Sequence, residues 1–315
     1  MLRVLAVAFA ISIPVTLVAQ NRQSVFTLKS VGPNVWAAID AFGGAANAGF
    51  IVGDNGVAVV DTLSYAEAAR QFLAAIRMQT TQPIRYVVDT HYHVDHVAGN
   101  GVFKDTGAIV MAQRKVRCWI HSENRHLYGA DLTPSLKAMV DGLVPPTTIY
   151  DNSVDWKLGS RTVQLRNMPG HTGADTVVVV PDAHVVFAGD LVWRNIAPNL
   201  VDASIGPWIA TLNTLLSTFP DATFVPGHGD VATVVDVAAF RDYLVTLRDR
   251  VPDVQKQGLS GDALVASVLP VLTAKYGTWE LSGARDNILQ TDADLRGIKR
   301  RPKTLPNQAA CAKPY

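Results

Sequence analysis

Cysteine is nearly missing from this chain: among 315 residues there are two, Cys118 and Cys311, and neither lies in a C-x-x-C pair. That excludes a thiolate zinc cage and a dithiol redox motif, and it leaves the chemistry to histidines and carboxylates. Gly-x-Ser-x-Gly is also absent, so a serine-hydrolase nucleophile finds no support. Neither sign of charge is in excess, with 28 Lys and Arg against 27 Asp and Glu and a net charge of +1. A balanced chain carries no electrostatic footprint for nucleic acid or for an anionic membrane surface. The basic triplet Lys299-Arg300-Arg301 reads as a solvated tail. Long apolar runs are lacking after residue 20, so no later segment is expected to span a bilayer. Histidine is scarce as well, with 8 residues, which makes its placement informative.

The first twenty residues differ from the rest. Arg3 gives a positive start, Val4 to Val18 is apolar, and Ala19 offers a small residue for cleavage, the pattern of a secretory signal peptide cut near Ala19 or Gln20. A membrane anchor is the competing reading. The apolar stretch falls short of the ~20 residues a spanning helix needs, and Pro14 interrupts it, which favours cleavage. The expected product is exported, periplasmic or secreted, with no stable membrane insertion. Export also permits a disulfide between the two cysteines.

The chain then reads as a layered α/β protein. Val25 to Ala38 alternates like strands around Gly32-Pro33-Asn34, and Asn47 to Val60 reads as a hairpin around Asp54-Asn55-Gly56. Ser64 to Met78 carries a helical stripe, with Ser64 and Glu67 in capping-box spacing. Pro83 stops that helix before a mostly apolar strand. Strands return at 156–159, 162–167, 176–180 and 184–188, and a helix over 207–218 leads to a strand at 223–225. From Ala232 onward the pattern is helical, with Thr233 as a cap and Pro270 dividing or kinking a second helix. His121 and His126 sit in a polar stretch that reads as a solvated helix face, and His184 reads as structural.

One stretch gathers the chemistry. Thr90 to Asn100 reads T-H-Y-H-V-D-H-V-A-G-N and puts His91, His93, Asp95 and His96 at the end of an apolar strand. Imidazoles and carboxylates in such density suit Zn²⁺, with Fe or Mn as substitutes. Two later phrases rhyme with it. Pro169-Gly170-His171 and Pro226-Gly227-His228 each throw a histidine off a strand end, and Gly189-Asp190 does the same with a carboxylate.

H-x-H-x-D-H, the P-G-H-T of Pro169 to Thr172, Gly189-Asp190 and Gly227-His228 resemble, in order and spacing, the metallo-β-lactamase superfamily over roughly Val25 to Asp230. The resemblance implies a four-layered αβ/βα sandwich with the site at the rim where two halves meet. The chain therefore divides into 1–20 for the leader, 21–232 for a domain of that kind and 233–315 for a helical extension and tail. It also implies the partition of ligands for two Zn²⁺: His91, His93 and His171 at one ion, Asp95, His96 and His228 at the other, and Asp190 between them. A metal-bridging hydroxide would attack an activated carbonyl, with Asp95 orienting it and helping to move a proton.

The pattern departs from one lactamase subclass, which has cysteine at the place of Asp190 and arginine at that of His96. It departs from another, which usually lacks the bridging aspartate. The full set looks more like the wider hydrolases, so the expected substrate is a small molecule: a β-lactam, lactone or thioester. Two alternatives stand beside this. One is an iron-dependent oxidoreductase acting on sulfur compounds. The other is a non-catalytic exported metal-binding accessory protein. Oligomeric state is left open.

Overall fold

A computed structural model of the chain describes residues 24–303. The leader read at residues 1–20, the end of the tail and Cys311 lie outside the described residues. Cys118 is buried and disulfide-bonded.

The first half builds a seven-stranded sheet in sequential order. β1 (Phe26–Gly32), β2 (Val35–Asp40), β3 (Ala48–Gly53) and β4 (Gly56–Val60) run antiparallel. Asn34 makes the first turn at φ +58, a left-handed conformation asparagine tolerates. α1 (Ala66–Gln79) crosses to β5 (Ile84–Asp89), which pairs parallel with β4. After β5 come α2 (Val94–Val97), α3 (Asn100–Lys104), β6 (Ile109–Gln113), α4 (Arg114–Trp119), α5 (Ser122–Tyr128), α6 (Pro134–Asp141) and β7 (Thr148–Tyr150).

The second half builds a five-stranded sheet from β8 (Ser153–Leu158), β9 (Arg161–Asn167), β10 (Thr176–Val180), β11 (Val185–Trp193) and β12 (Thr223–His228). α7 (Ile205–Thr218) is the crossover that lets β11 and β12 pair parallel. α8 (Val234–Gln255), α9 (Gly261–Tyr276) and α10 (Ala284–Leu295) follow.

Alternation along the strands sets the layers, because successive side chains point to opposite faces. On β4, Val57 and Val59 pack outward on Phe72 and Ile76 of α1. Ala58 and Val60 face inward, toward Val178 and Val180 of β10. On β10, Val177 and Val179 turn out to the helices carrying Leu212, Phe240 and Leu244. Both strands are buried on both faces, which explains their unbroken apolar runs. The order is helix, sheet, sheet, helix: the expected four-layered sandwich. α8 to α10 pack into the same apolar cluster as α7 and the outer face of the second sheet. No helix among the described residues is long and apolar enough to cross a membrane.

Three local expectations change. α1 starts at Ala66 behind Tyr65 with no side-chain cap, so the Ser64–Glu67 box does not form; the Ser64 hydroxyl donates to the Asp95 carbonyl instead. α9 continues through Pro270. β11 runs on to Trp193, because a register shift around Gly189 bends it without ending it.

Candidate metal centre

Strand ends from both sheets meet at one rim. β5 delivers His91 and His93, and α2 presents Asp95 and His96 on a single turn. The β9–β10 loop carries His171, β11 carries Asp190 just after Gly189, and β12 ends in His228. Gly189 takes φ +50, which kinks β11 and aims the aspartate at the rim. All seven residues converge. His91, His93, His171 and Asp190 form one group and Asp95, His96 and His228 another, with ligand atoms in each group within 4.8 Å of one another. His121, His126 and His184 are not in either group.

Asp190 stands between them. Its Oδ2 lies 3.2 Å from His171 Nε2 and 3.7 Å from His91 Nε2. Its Oδ1 lies 3.0 Å from His96 Nε2 and 3.5 Å from His228 Nε2. Burial raises a carboxyl, but the His228, His96, His171 and His91 imidazoles together hold Asp190 well below the ordinary range.

The outward nitrogens of three imidazoles are anchored, which fixes what the inner ones can do. Asp61 accepts from the Thr90 backbone at 2.7 Å and from the Thr90 hydroxyl at 2.8 Å. With its hydrogen committed, that hydroxyl is left to accept from His91 Nδ1, 3.1 Å away. Asp61 also faces His96 Nδ1 at 2.8 Å, and Asp202 faces His93 Nε2 at 3.2 Å. Asp202 further accepts from the Tyr92 hydroxyl at 2.6 Å. Burial works against its charge, yet the His93 contact and the tyrosine bond pull the Asp202 carboxyl down to about 2. The inner nitrogens face one another: His171 Nε2 and His93 Nδ1 are 3.0 Å apart, a pair in which either ring can carry the shared proton.

Among the described residues, His91 Nε2, His96 Nε2, His228 Nε2 and Asp190 Oδ1 are buried with no hydrogen-bond partner. Buried polar atoms rarely stay unpaired, and converging imidazole nitrogens with a carboxylate oxygen suit a divalent transition metal. The residues fit the group.

The loops that hold these ligands are built from polar groups that carry no local signal. Asp175 accepts from Gly170 N–H and Thr172 N–H at 2.8 Å each, cradling the turn before and after His171, and burial pushes its carboxyl up to about 7. Trp193 stacks on His228 with centroids 3.9 Å apart and donates to the Asp190 carbonyl. Asn124 accepts from Val94 N–H at 3.0 Å and donates to the Tyr92 carbonyl at 2.6 Å, bracketing His93. The stretch around His121 was expected to be solvated. Its Glu123 and Asn124 are buried, because α5 packs against the ligand loop. The expected tail triplet also has partners: Lys299 and Arg301 bond backbone carbonyls of the loop before α7, and Arg300 pairs with Glu123.

Beside His228 and Trp193 opens a cavity of about 450 Å³. Leu200 and Asn199 line one side, while Glu280 and Asn287 bring the C-terminal helices into its wall.

Two layered halves joined at a buried His/Asp ligand cluster define a metal-binding protein of the αβ/βα sandwich class. Comparison with known proteins carries this to a family. The chain belongs to the metallo-β-lactamase superfamily, whose model matches residues 41–228. A linear primary-alkylsulfatase of Pseudomonas sp. (strain ATCC 19151) is 23% identical over 273 residues, covering 71% of this chain and 51% of that protein. The chain thus spans about half the length of that relative. A metallo-β-lactamase type 2 of Elizabethkingia meningoseptica is 25% identical over 204 residues, 62% of this chain and 75% of that one. Among solved structures, a double mutant of the sec-alkyl sulfatase PisA1 superposes with a TM-score of 0.70 at 19% identity, over 87% of this chain and 50% of its own.

Proposed function

We propose that the chain is a zinc-dependent hydrolase with two metal sites, one held by His91, His93 and His171 and the other by Asp95, His96 and His228. The observation that carries this is Asp190, whose two carboxylate oxygens face opposite groups of imidazoles. When bound, zinc supplies Lewis acidity toward a substrate oxygen and brings the pKa of water towards neutrality.

The chain's own residues do the rest. Thr90, Asp61 and Asp202 hold the outer nitrogens of His91, His96 and His93, so the inner nitrogens are the ones these rings would offer a metal. Asp95 is the most open of the seven, with 33% of its side chain exposed where His91, His96 and Asp190 are nearly closed off. In this reading it orients an incoming water and helps move a proton. Burial raises its carboxyl, but His96 and His228 hold it below the ordinary range, so it meets that water ionised. The adjoining cavity is of small-molecule size, with Trp193 and Leu200 as apolar wall and Asn199 as a polar contact.

The substrate class we favour is an activated carbonyl: β-lactam, lactone or thioester. A sulfate ester is the second reading, favoured because the alkylsulfatase relative aligns over more of this chain, 71%, than the lactamase relative, 62%.

The test is a metal analysis of the purified chain and a panel of lactams, lactones, thioesters and alkyl sulfates, run beside His93→Ala. We expect zinc, and turnover of one class that falls at least about a hundredfold in the variant. Equal inactivity of both proteins on every class removes the hydrolase reading. Iron in place of zinc moves the assignment to the oxidoreductase alternative.

A further inference from the structure

The basic triplet after α10 is not spent on solvent. Lys299 Nζ donates to the Ala203 carbonyl at 2.8 Å and to that of Leu200. Arg301 donates to the same Ala203 carbonyl at 2.5 Å. Leu200 and Ala203 flank Asp202, and Ala203 is fully buried. A buried carbonyl reached by two cationic donors is held more firmly than an ordinary backbone acceptor. Arg301 also pairs with Asp294 of α10, whose other oxygen accepts from Ile205 N–H at the start of α7 at 2.8 Å. The loop 200–204 is therefore clamped to α10. It continues to Ser204 N–H, which donates to the Gly170 carbonyl next to His171.

Between these two residues, Arg300 turns the other way. It meets the buried carboxylate of Glu123 at 2.6 Å. The next residue on α5 is Asn124, which bonds the backbone on both sides of His93. A buried carboxylate without its cation is costly, so Arg300 fixes where α5 sits.

We propose that Lys299, Arg300 and Arg301 are positioning residues for the metal centre, a strap that holds His93 from two sides: through Asp202 on one and through α5 and Asn124 on the other. The strap gives the end of the chain a stake in the site beside the cavity wall, since Lys299 holds the carbonyl of Leu200, which lines that cavity. This inference rests on the reading of His93 as a metal ligand, and its test reads metal binding rather than turnover.

The experiment compares the full chain with Lys299→Met/Arg301→Met, Arg300→Gln and the conservative Lys299→Arg/Arg301→Lys. Zinc affinity is measured by chelator competition, the visible spectrum of the Co²⁺-loaded protein reports ligand geometry, and circular dichroism of the metal-free protein reports the fold. Zinc affinity is expected to fall about tenfold in the Met pair and less in Arg300→Gln, with a changed Co²⁺ spectrum. The conservative pair recovers most of it, because donors return to the carbonyls. In an Asp202→Asn background the Met pair should have little further effect, since the two act through one contact. Affinity within about twofold of wild type in folded Met-pair protein overturns the strap, as does an undiminished loss in the Asp202→Asn background. Should the Met pair not fold, Arg300→Gln decides by the same affinity and spectral criteria. A wild-type chain that takes up no zinc or Co²⁺ instead removes the proposed function, leaving the two failures distinct.

Discussion

Asp202→Asn is the sharpest single test of how the centre is supported. Asp202 lies 110 residues from Tyr92 in sequence and is buried, yet its Oδ2 serves the Tyr92 hydroxyl at 2.6 Å and His93 Nε2 at 3.2 Å. Two independent magnitudes apply. A hydrogen bond to a charged group contributes about 1.5–3 kcal/mol. Outer partners of metal-bound histidines are worth about 10–100-fold in metal affinity, or about 1.4–2.7 kcal/mol at ~1.36 kcal/mol per decade. They agree. Asparagine keeps the shape and an accepting oxygen but loses the charge, so the lower end applies, about tenfold. Asp202→Ala removes the oxygen that serves both donors and leaves the tyrosine hydroxyl and the imidazole N–H unpaired, which points to the upper end, about a hundredfold, with added loss of stability. Chelator competition at fixed pH reads the affinity, and thermal unfolding of the metal-free protein reads the stability. If both variants bind zinc as tightly as wild type with an intact fold, Asp202 does not act through His93.

Two further outcomes follow from the same geometry. Gly227→Ala would place a methyl 1.8 Å from Asp190 Oδ1 and 2.8 Å from the Asp190 backbone nitrogen, so the shared carboxylate must leave its place; elemental analysis should show metal content falling by half or more, and full occupancy would refute the role given to Asp190. The second concerns pH. Burial disfavours a charge on His228, but Asp190 and Asp95 push its imidazole from 6.5 up to about 9, and Asp190, Asp61 and Asp95 raise His96 in the same direction. In the metal-free chain the raised His228 stabilises the fold fully below about pH 6.5 and loses that contribution as pH rises through about 9. Metal must displace the same protons, so apparent zinc affinity should weaken on acidification by about tenfold per pH unit for each competing proton. Calorimetry in buffers of different ionisation enthalpy measures the protons released; none released at pH 7 would contradict it.

The seven candidate ligands, which the fold brings together, were readable because each sits on a local pattern. H-x-H-x-D-H follows an apolar strand, Pro-Gly-His recurs, and Gly189 precedes Asp190; glycine and proline mark the tight turns that put a side chain at a strand end. The layers were readable too, since β4 and β10 are unbroken runs of buried residues and α1 and α8 carry apolar stripes.

The groups that make the ligands into a centre left no such trace. Asp61, Asp175 and Asp202 are single carboxylates, indistinguishable in sequence from surface ones. Asn124 and Glu123 sit in a stretch whose composition reads as solvated, and Lys299-Arg300-Arg301 looks like an end-of-chain charge run. Sequence by itself determined which side chains can bind metal, because that depends on residue type and on turns a few residues long. Only the tertiary structure decided which of their nitrogens face inward and what holds them there. Those partners come from both sheets and from the end of the chain, and burial between them is what turns ordinary polar side chains into supports.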